Sequence, residues 1–553
     1  MKNVFFIIYV AFCASAASNA IADDNNINQQ QTDYITAKIK GNKKNVMCAA
    51  KLACSSSQIA KFYAEHNYNP VWISKGQLTK SGASLVFVIR NSFLDGLNPY
   101  TYHVTQINAM IAKLKNTDSS ESAKLLADLD VTLSDGFFLM ADHLSNGVVA
   151  ADKVSRYLTL PKKNINFIDV ADKAVKVSDV AEVLNTLSPR NPMYAKLKEK
   201  LFEFYKIATS GGFTPISDDE NKGKTVKLIK QRLYATGELA KIKNPTEYDK
   251  ELEAALIKFQ QNNQLEADGM IGVKTLKALN TPVEVLIQKI ALNMDRLRIL
   301  PEHMASRHVI INIPNFSLEA FKDEHSVLSM PVVVGKPKSP SCILNSQLTK
   351  LSFNPYWNVP NGIASNEIIP ELRRNPKFLK ENNMKVFKND MTEVNPDSID
   401  WKSVNPKGST YKFRQDPGDL NALGKVKFAF PNNCVMYLHD SLAREVFEEE
   451  KRDVGHGCIR LGKPFDFADY LLVDNKGWDK AQIMDTINES QLKDVTLTRP
   501  VDLYILYQTV FVNSEGVLQF RNDIYNLDKL SPYPIWQVKD KGSQDKDKTS
   551  EDA

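Results

Sequence analysis

Beyond its first two dozen residues this 553-residue chain has no apolar run long enough to cross a bilayer, so no later segment is expected to span a membrane. Net charge is scarce too. A formal +5 over such a length gives no argument for nucleic acid and only a weak pull toward an anionic polymer. Cysteine is the third shortage, with six in all. Cys434, His439, His456 and Cys458 are all ligand types, which makes zinc the sharpest rival reading of the C-terminal region. Structural zinc sites use paired short intervals, however; His456-x-Cys458 is too tight for them and Cys434-x4-His439 matches none. No metal is expected.

What the chain does have begins at the N-terminus. Lys2 precedes an apolar stretch from Val4 to Ala17, and Ala20-Ile21-Ala22 supplies a small-residue cleavage site before Asp23. Residues 1–22 therefore read as a signal peptide, with a retained anchor as the rival. Phe12 before Cys13 is too bulky for a lipoprotein box. Export removes Cys13 and leaves Cys48, Cys54, Cys342, Cys434 and Cys458, an odd number in an oxidising compartment. Cys48 and Cys54 are close enough to pair, Cys342 and Cys434 are a second candidate pair, and Cys458 is the natural remainder. Sequence alone does not fix that connectivity.

The length allows several domains. Residues 23–45 are polar and read as a disordered leader. The span 46–220 is mainly helical in pattern, with Leu126, Leu129, Leu133, Phe137, Met140 and Leu144 at intervals of three and four, a core-facing stripe. Gly211-Gly212 and the polar run 217–223 suggest a linker. Residues 224–282 form a small helical unit, in which Leu252, Ala255, Leu256 and Phe259 share a face and Asp268-Gly269 makes a turn. A helix over 283–299 leads into a β-rich region spanning 300–510, with strands at 308–313, 326–334 and 349–356. Residues 361–422 are too long for a simple connection and read as a lid or small subdomain, or else as surface decoration. The tail 539–553 reads as disordered.

The chemistry sits near the C-terminus. Tyr437-Leu438-His439-Asp440 is followed by fourteen residues and then Gly455-His456-Gly457-Cys458-Ile459-Arg460. A thiolate attacks carbonyls, and an imidazole beside it is a common way of making one near neutral pH. Val426, Phe428 and Phe430 alternate, as do Val435 and Tyr437, so two strands are expected with His439 at the end of the second. Pro464 followed by Phe465, Ala468 and Leu472 predicts a helix, which places Cys458 on a strand-to-helix connection. A buried structural cysteine and a structural histidine are the plain alternatives.

These motifs, in this order, resemble the L,D-transpeptidases with a YkuD-type catalytic domain. Phe353-Asn354-Pro355-Tyr356-Trp357-Asn358-Val359-Pro360 and Asn421-Ala422-Leu423-Gly424 resemble the large periplasmic YcbB-like subgroup. Gly455 departs from the family's usual Ser or Thr and puts one loop hydrogen bond in doubt. Phe62-Tyr63-Ala64, Pro70-Val71-Trp72 and Asp95-Gly96-Leu97-Asn98-Pro99 resemble that subgroup's helical scaffold. Ile229-Lys230-Gln231-Arg232-Leu233 with Asp268-Gly269-Met270-Ile271-Gly272 resembles a three-helix peptidoglycan-binding domain. The implied fold is multidomain α+β: helical scaffold, peptidoglycan-binding domain, and β-rich catalytic domain with a capping insertion.

The implied chemistry makes Cys458 the nucleophile and His439 its base, with the backbone of His456, Gly457 and Cys458 as oxyanion donors. A main-chain group in the Asp440 region would orient the imidazole. Arg460 would hold a substrate carboxylate, with a structural salt bridge as the equal alternative; Tyr437 and Trp357 would wall the cleft, with core packing as theirs. The implied reaction forms 3→3 cross-links between peptidoglycan stem peptides in the periplasm, without metal or organic cofactor. Its partners are stem peptides and glycan, with cell-wall synthesis proteins beside them. The rival readings are an L,D-carboxypeptidase, a non-catalytic wall-binding protein and a cysteine peptidase acting on proteins.

Overall fold

A strand with one face in a core hides about every second residue, as Ser317–Lys322 and Val426–Ala429 do in the C-terminal half. The computed structural model describes residues 24–41, 56–116, 119–148, 158–159, 163–217, 222–301 and 303–530. The expected signal peptide, the Cys48–Cys54 pair and the C-terminal tail lie outside the described residues. The chain divides into two compact units, one comprising residues 1–93, 98–142 and 165–187, the other residues 94–97, 143–164 and 188–553.

The first unit is helical. Helices Ser56–Glu65, Lys80–Arg90, Val104–Leu114, Phe167–Ala174 and Val180–Asn185 surround the N-terminal part of the 28-residue helix Ser119–Asn146. The leucine and aromatic stripe of that long helix is buried along its whole length. Asp130 interrupts it and is satisfied: it accepts from Tyr63 Oη, from the Val71 amide and from the Trp72 amide. The expected disordered leader is a correction, since Asp24–Gly41 is helical. Ile35 and Ile39 are buried and Lys38 pairs with Asp128, so two apolar contacts outweigh a composition that reads as solvated.

In the second unit, helices Lys222–Thr236, Lys250–Asn262 and Val273–Leu279 close around Ile229, Leu233, Leu252, Leu256 and Phe259. Gln260 ties down the Asp268-Gly269 turn, accepting from the Gly269 amide at 2.8 Å and donating to Asp268 at 2.8 Å. This bundle is joined to the β-region through Gln519, which donates to Asn262 at 2.8 Å, and through the Asn522 amide, which donates to Gln264 at 2.9 Å. Helices Pro192–Thr209 and Val283–Leu297 pack on Tyr504, Leu506 and Val510 of the same region.

The β-region is a nine-stranded sheet whose eight strands from this region are β1 Arg307–Asn312, β2 Ser317–Lys322, β3 His325–Val333, β4 Ile343–Phe353, β5 Val426–Ala429, β6 Leu438–His439, β7 Ile459–Leu461 and β8 Lys493–Leu506. Its order is β5-β6-β7-β3-β2-β1-β8-β4, and β4 pairs back onto β5, so the sheet closes on itself. Short strand Leu158–Thr159 adds to β4 in parallel. Leu318, Val332, Leu351, Phe428, Leu438, Ile459 and Leu503 form one buried core, covered by Phe467 and Leu471 of helix Pro464–Leu472.

Residues 361–422 are not a loose decoration. Strands Trp357–Asn358, Met384–Phe387, Glu393–Val394 and Lys412–Gln415 form a separate antiparallel sheet over its own core of Ile369, Leu372, Val386, Trp401 and Phe413. The insertion begins earlier than expected, because Trp357 pairs with Gln415 inside this second sheet.

Candidate active site

Three neighbouring strands assemble the site. β6 pairs with β7 in parallel, Leu438 opposite Ile459 and His439 opposite Arg460. Extending the register by one sets Tyr437 opposite Cys458, and the Ile459 amide donates to the Tyr437 carbonyl at 3.2 Å. Leu438, Ile459 and Leu461 point into the core. The alternation therefore puts Tyr437, His439, Cys458 and Arg460 on the opposite face. On the other side of β6, Lys427 of β5 stands opposite His439.

Two local expectations need correcting. Cys458 lies on the turn that enters β7, not on a strand-to-helix connection; the buried pair Ile459 and Leu461 makes a short strand before Pro464 starts the helix. Val435 is not in a strand either. It is 85% exposed with φ of +54°, because Asn432 folds the segment into a turn by accepting from the Cys434 and Met436 amides. Cys434 is bonded to Cys342 there, and Cys458 is a free thiol.

Burial pushes the Cys458 thiol above its ordinary value of 9.0, opposed by hydrogen bonding from Tyr437 and by the charge of Lys427. The Tyr437 hydroxyl is bracketed by Cys458 and by Trp357. Its ring lies 5.7 Å from that of His439 and carries the Lys427 ammonium 4.1 Å above its centroid. Trp357 belongs to the inserted sheet, so the insertion reaches this residue of the site.

His439 is buried, and its Nδ1 has no full hydrogen-bond partner among the described residues. Burial first, then the Arg460 charge, lower it from 6.5 to about 3, with main-chain groups of Asp440 and Leu423 pulling the other way and Lys427 adding to the fall. Main-chain groups at Asp440 and at Leu423 are thus the two that favour a proton on this ring. The Asp440 carboxylate faces elsewhere: it accepts from the Lys425 amide at 2.8 Å, the Ser441 amide at 2.6 Å and the Arg444 guanidinium. Gly424, at φ +63°, admits it, since a Cβ there would lie 2.3 Å from its oxygen.

His456 turns outward, its Nε2 2.7 Å from Glu367 Oε1 of the insertion and 3.2 Å from Lys336 Nζ. Its side chain is therefore engaged with the insertion, and only its main chain remains for an oxyanion role. Gly457 adopts φ of +108°, which glycine tolerates without strain. The amides of Gly457 and Cys458 donate to no acceptor among the described residues. Ser341 holds this loop, donating from Oγ to the Gly457 carbonyl at 2.7 Å while accepting from the Gly335 amide at 2.9 Å. Gly455 lacks a hydroxyl, and its own amide donates to the Val334 carbonyl at 2.8 Å. Arg460 is half-buried, with its basicity lowered by burial.

Sequence reasoning missed Lys427, Ser341 and Glu367. Lys427 carried a signal, alternating between Val426 and Phe428 and so facing away from the core; the other two had none, being joined to the site only by tertiary register.

A depressed histidine makes stability depend on pH. Between about 6.5 and about 3 the unfolded chain protonates His439 while the folded chain does not. The unfolded state binds more protons there, so stability falls as pH falls through that window, by about 2 kcal/mol at pH 5. His439→Gln should remove this loss. Melting curves from pH 7 to 4.5 should show the wild type falling faster than the variant; parallel curves would refute the buried neutral imidazole.

Residues 306–483 match the "L,D-transpeptidase catalytic domain" family, YkuD. Residues 222–279 match a "Putative peptidoglycan binding domain", and residues 57–201 a "Scaffold domain". The chain thus carries a YkuD-type L,D-transpeptidase catalytic domain together with a peptidoglycan-binding domain and a helical scaffold. A protein of Haemophilus influenzae (strain ATCC 51907 / DSM 11121 / KW20 / Rd) named "Putative L,D-transpeptidase" is 29% identical over 244 residues, 44% of this chain. The chain spans about half of that relative, 49%. Solved L,D-transpeptidase structures from Stackebrandtia nassauensis and Xylanimonas cellulosilytica are 12% and 14% identical. Each covers 53% of this chain, and 97% and 98% of their own chains align, with TM-scores of 0.20 and 0.17.

Proposed function

We propose that this protein is an exported L,D-transpeptidase that acts on peptidoglycan stem peptides through Cys458. The observation that carries the reading is the β5-β6-β7 register, which gathers a free thiol, a buried imidazole and two cations on one face of the matched catalytic domain. Among the described residues no helix is long and apolar enough to cross a membrane.

In this reading Cys458 Sγ attacks the carbonyl of the L-centre of diaminopimelate in a tetrapeptide stem. His439 accepts the thiol proton, and the Gly457 and Cys458 amides receive the oxyanion. The C–N bond to terminal D-Ala breaks, its nitrogen takes the proton from His439, and a thioester remains on Cys458. The side-chain amine of diaminopimelate on a second stem attacks that thioester, gives its proton to His439, and restores the thiol with a 3→3 cross-link formed. Water in place of the amine makes the same site an L,D-carboxypeptidase. The 222–279 bundle keeps the enzyme on the wall, and the action is periplasmic.

The full chain incubated with disaccharide-tetrapeptide should give cross-linked dimer with loss of D-Ala, read by mass spectrometry. Tripeptide monomer alone would make it a carboxypeptidase. An inert chain that still sediments with cell walls would leave only a binding protein.

A further inference from the structure

One row of residues crosses the sheet on the site's face. Asp494 of β8 stands opposite Ser352 of β4, Ser352 opposite Lys427 of β5, Lys427 opposite His439 of β6, and His439 opposite Arg460 of β7. The acid at the end of the row is already used: Asp494 is held by Lys350 Nζ at 2.6 Å and by Ser352 Oγ at 2.6 Å. Lys427 and Arg460 thus flank His439 from both sides, and neither has a carboxylate within 4.0 Å among the described residues. Both are half-buried, and burial lowers the basicity of both.

Two partly desolvated cations, neither in a direct ion pair and Lys427 offset only at longer range by Asp494, are costly to hold, and an anion that binds between them relieves the cost. The two are not equivalent. The Lys427 ammonium rests on the Tyr437 ring at 4.1 Å, Tyr437 stands opposite Cys458 in the β6–β7 register, and the Lys427 charge acts on the thiol. Lys427 is therefore the cation beside the reacting atom. Arg460 lies two residues along β7 from Cys458, roughly 7 Å farther on.

We infer that Lys427 recognises the free C-terminal carboxylate of the donor peptide, with Arg460 taking a second, more distant carboxylate. The inference rests on the transpeptidase reading above. In such a peptide only the nitrogen and Cα of the last residue separate the attacked carbonyl carbon from the terminal carboxylate, so this is the acid group nearest the sulfur. The second carboxylate of diaminopimelate lies several bonds away and suits the longer reach of a planar, bidentate guanidinium. A peptide so bound also neutralises both charges that hold His439 in its unprotonated form, which strengthens it as a base at the moment a thiol is presented.

The test separates binding from turnover. In a Cys458→Ala background, calorimetry compares a tetrapeptide stem ending in a free carboxylate with the same peptide ending in a carboxamide. The acid should bind about ten- to a hundredfold tighter, as a charge-assisted hydrogen bond implies. Lys427→Met and Lys427→Gln should shrink that ratio to about one- to threefold, while Lys427→Arg should keep most of it; each is checked for an unchanged melting temperature. Equal binding of acid and amide before substitution, or a ratio that Lys427→Met and Lys427→Gln leave unaltered, overturns the inference. D-Ala release by the unsubstituted chain is read separately. If none occurs while the Lys427-dependent preference persists, the recognition stands and the transpeptidase reading falls.

Discussion

Cys458→Ala protein should release D-Ala from tetrapeptide at least about 10⁴-fold more slowly than the wild type, and His439→Gln about 10²- to 10⁴-fold more slowly. The double variant should be about as slow as Cys458→Ala alone, because groups that act as a unit are not additive. Burial pushes the thiol up in the resting protein, so the neutral thiol prevails over the thiolate near neutral pH. Iodoacetamide should therefore label Cys458 slowly at pH 7 and faster as pH rises beyond 9, without the low-pH plateau of a preformed thiolate–imidazolium pair. The neutral, buried His439 leads to the same expectation. In the proposed mechanism the proton would move from Cys458 to His439 only once substrate is bound. A Cys458→Ala variant with near-normal turnover would remove the covalent mechanism altogether, and a labelling plateau near pH 6 would refute the resting thiol.

How much of this was legible before the structure depends on whether a feature is local. The strand ending at His439, the helix beginning at Pro464 and the helical bundle at 224–282 follow from alternation, from a proline at a first helical turn and from a stripe at three and four. The wall of the site did not follow. Lys427 and Arg460 lie 33 residues apart in the chain and come to flank His439 only because β5, β6 and β7 are adjacent, an ordering that no periodicity encodes. The Asp440 carboxylate was legible as a charged neighbour of His439, yet side chains on consecutive strand residues point to opposite faces, and it serves the Gly424 turn instead. Val435 imitated a strand because a β-branched residue ordinarily favours one. Its left-handed conformation sits in a turn that Asn432 holds locally, with the long-range Cys342–Cys434 bond anchoring the neighbouring residue. The insertion was visible as an over-long connection, but not its contacts through Glu367 to His456 and through Trp357 to Tyr437.

Loss of the Cys342–Cys434 bond should cost the catalytic region roughly 2–4 kcal/mol, because it closes a loop of 92 residues and removes that freedom from the unfolded chain. For a region of this size the melting transition should fall by roughly 5–15 °C. The effect on catalysis should exceed that of a remote crosslink, since both anchors touch the site. Cys342 follows Ser341, whose hydroxyl holds the Gly457 carbonyl, and Cys434 lies in the turn that delivers Tyr437 and His439 to their strand. Freed from each other, the loop before Cys458 and the turn before His439 fluctuate independently, and a misplacement of about 1 Å is enough to lower turnover about a hundredfold. The measurement is a melting curve and a D-Ala release assay on the Cys342→Ser/Cys434→Ser protein. Melting under reductant in the Cys458→Ala background excludes exchange with the free thiol. An unchanged melting transition would show that the turn is held by Asn432 alone. A lowered transition with full activity would show that the site tolerates independent motion of its two halves, contrary to the clamp that Ser341 and Cys434 make around it.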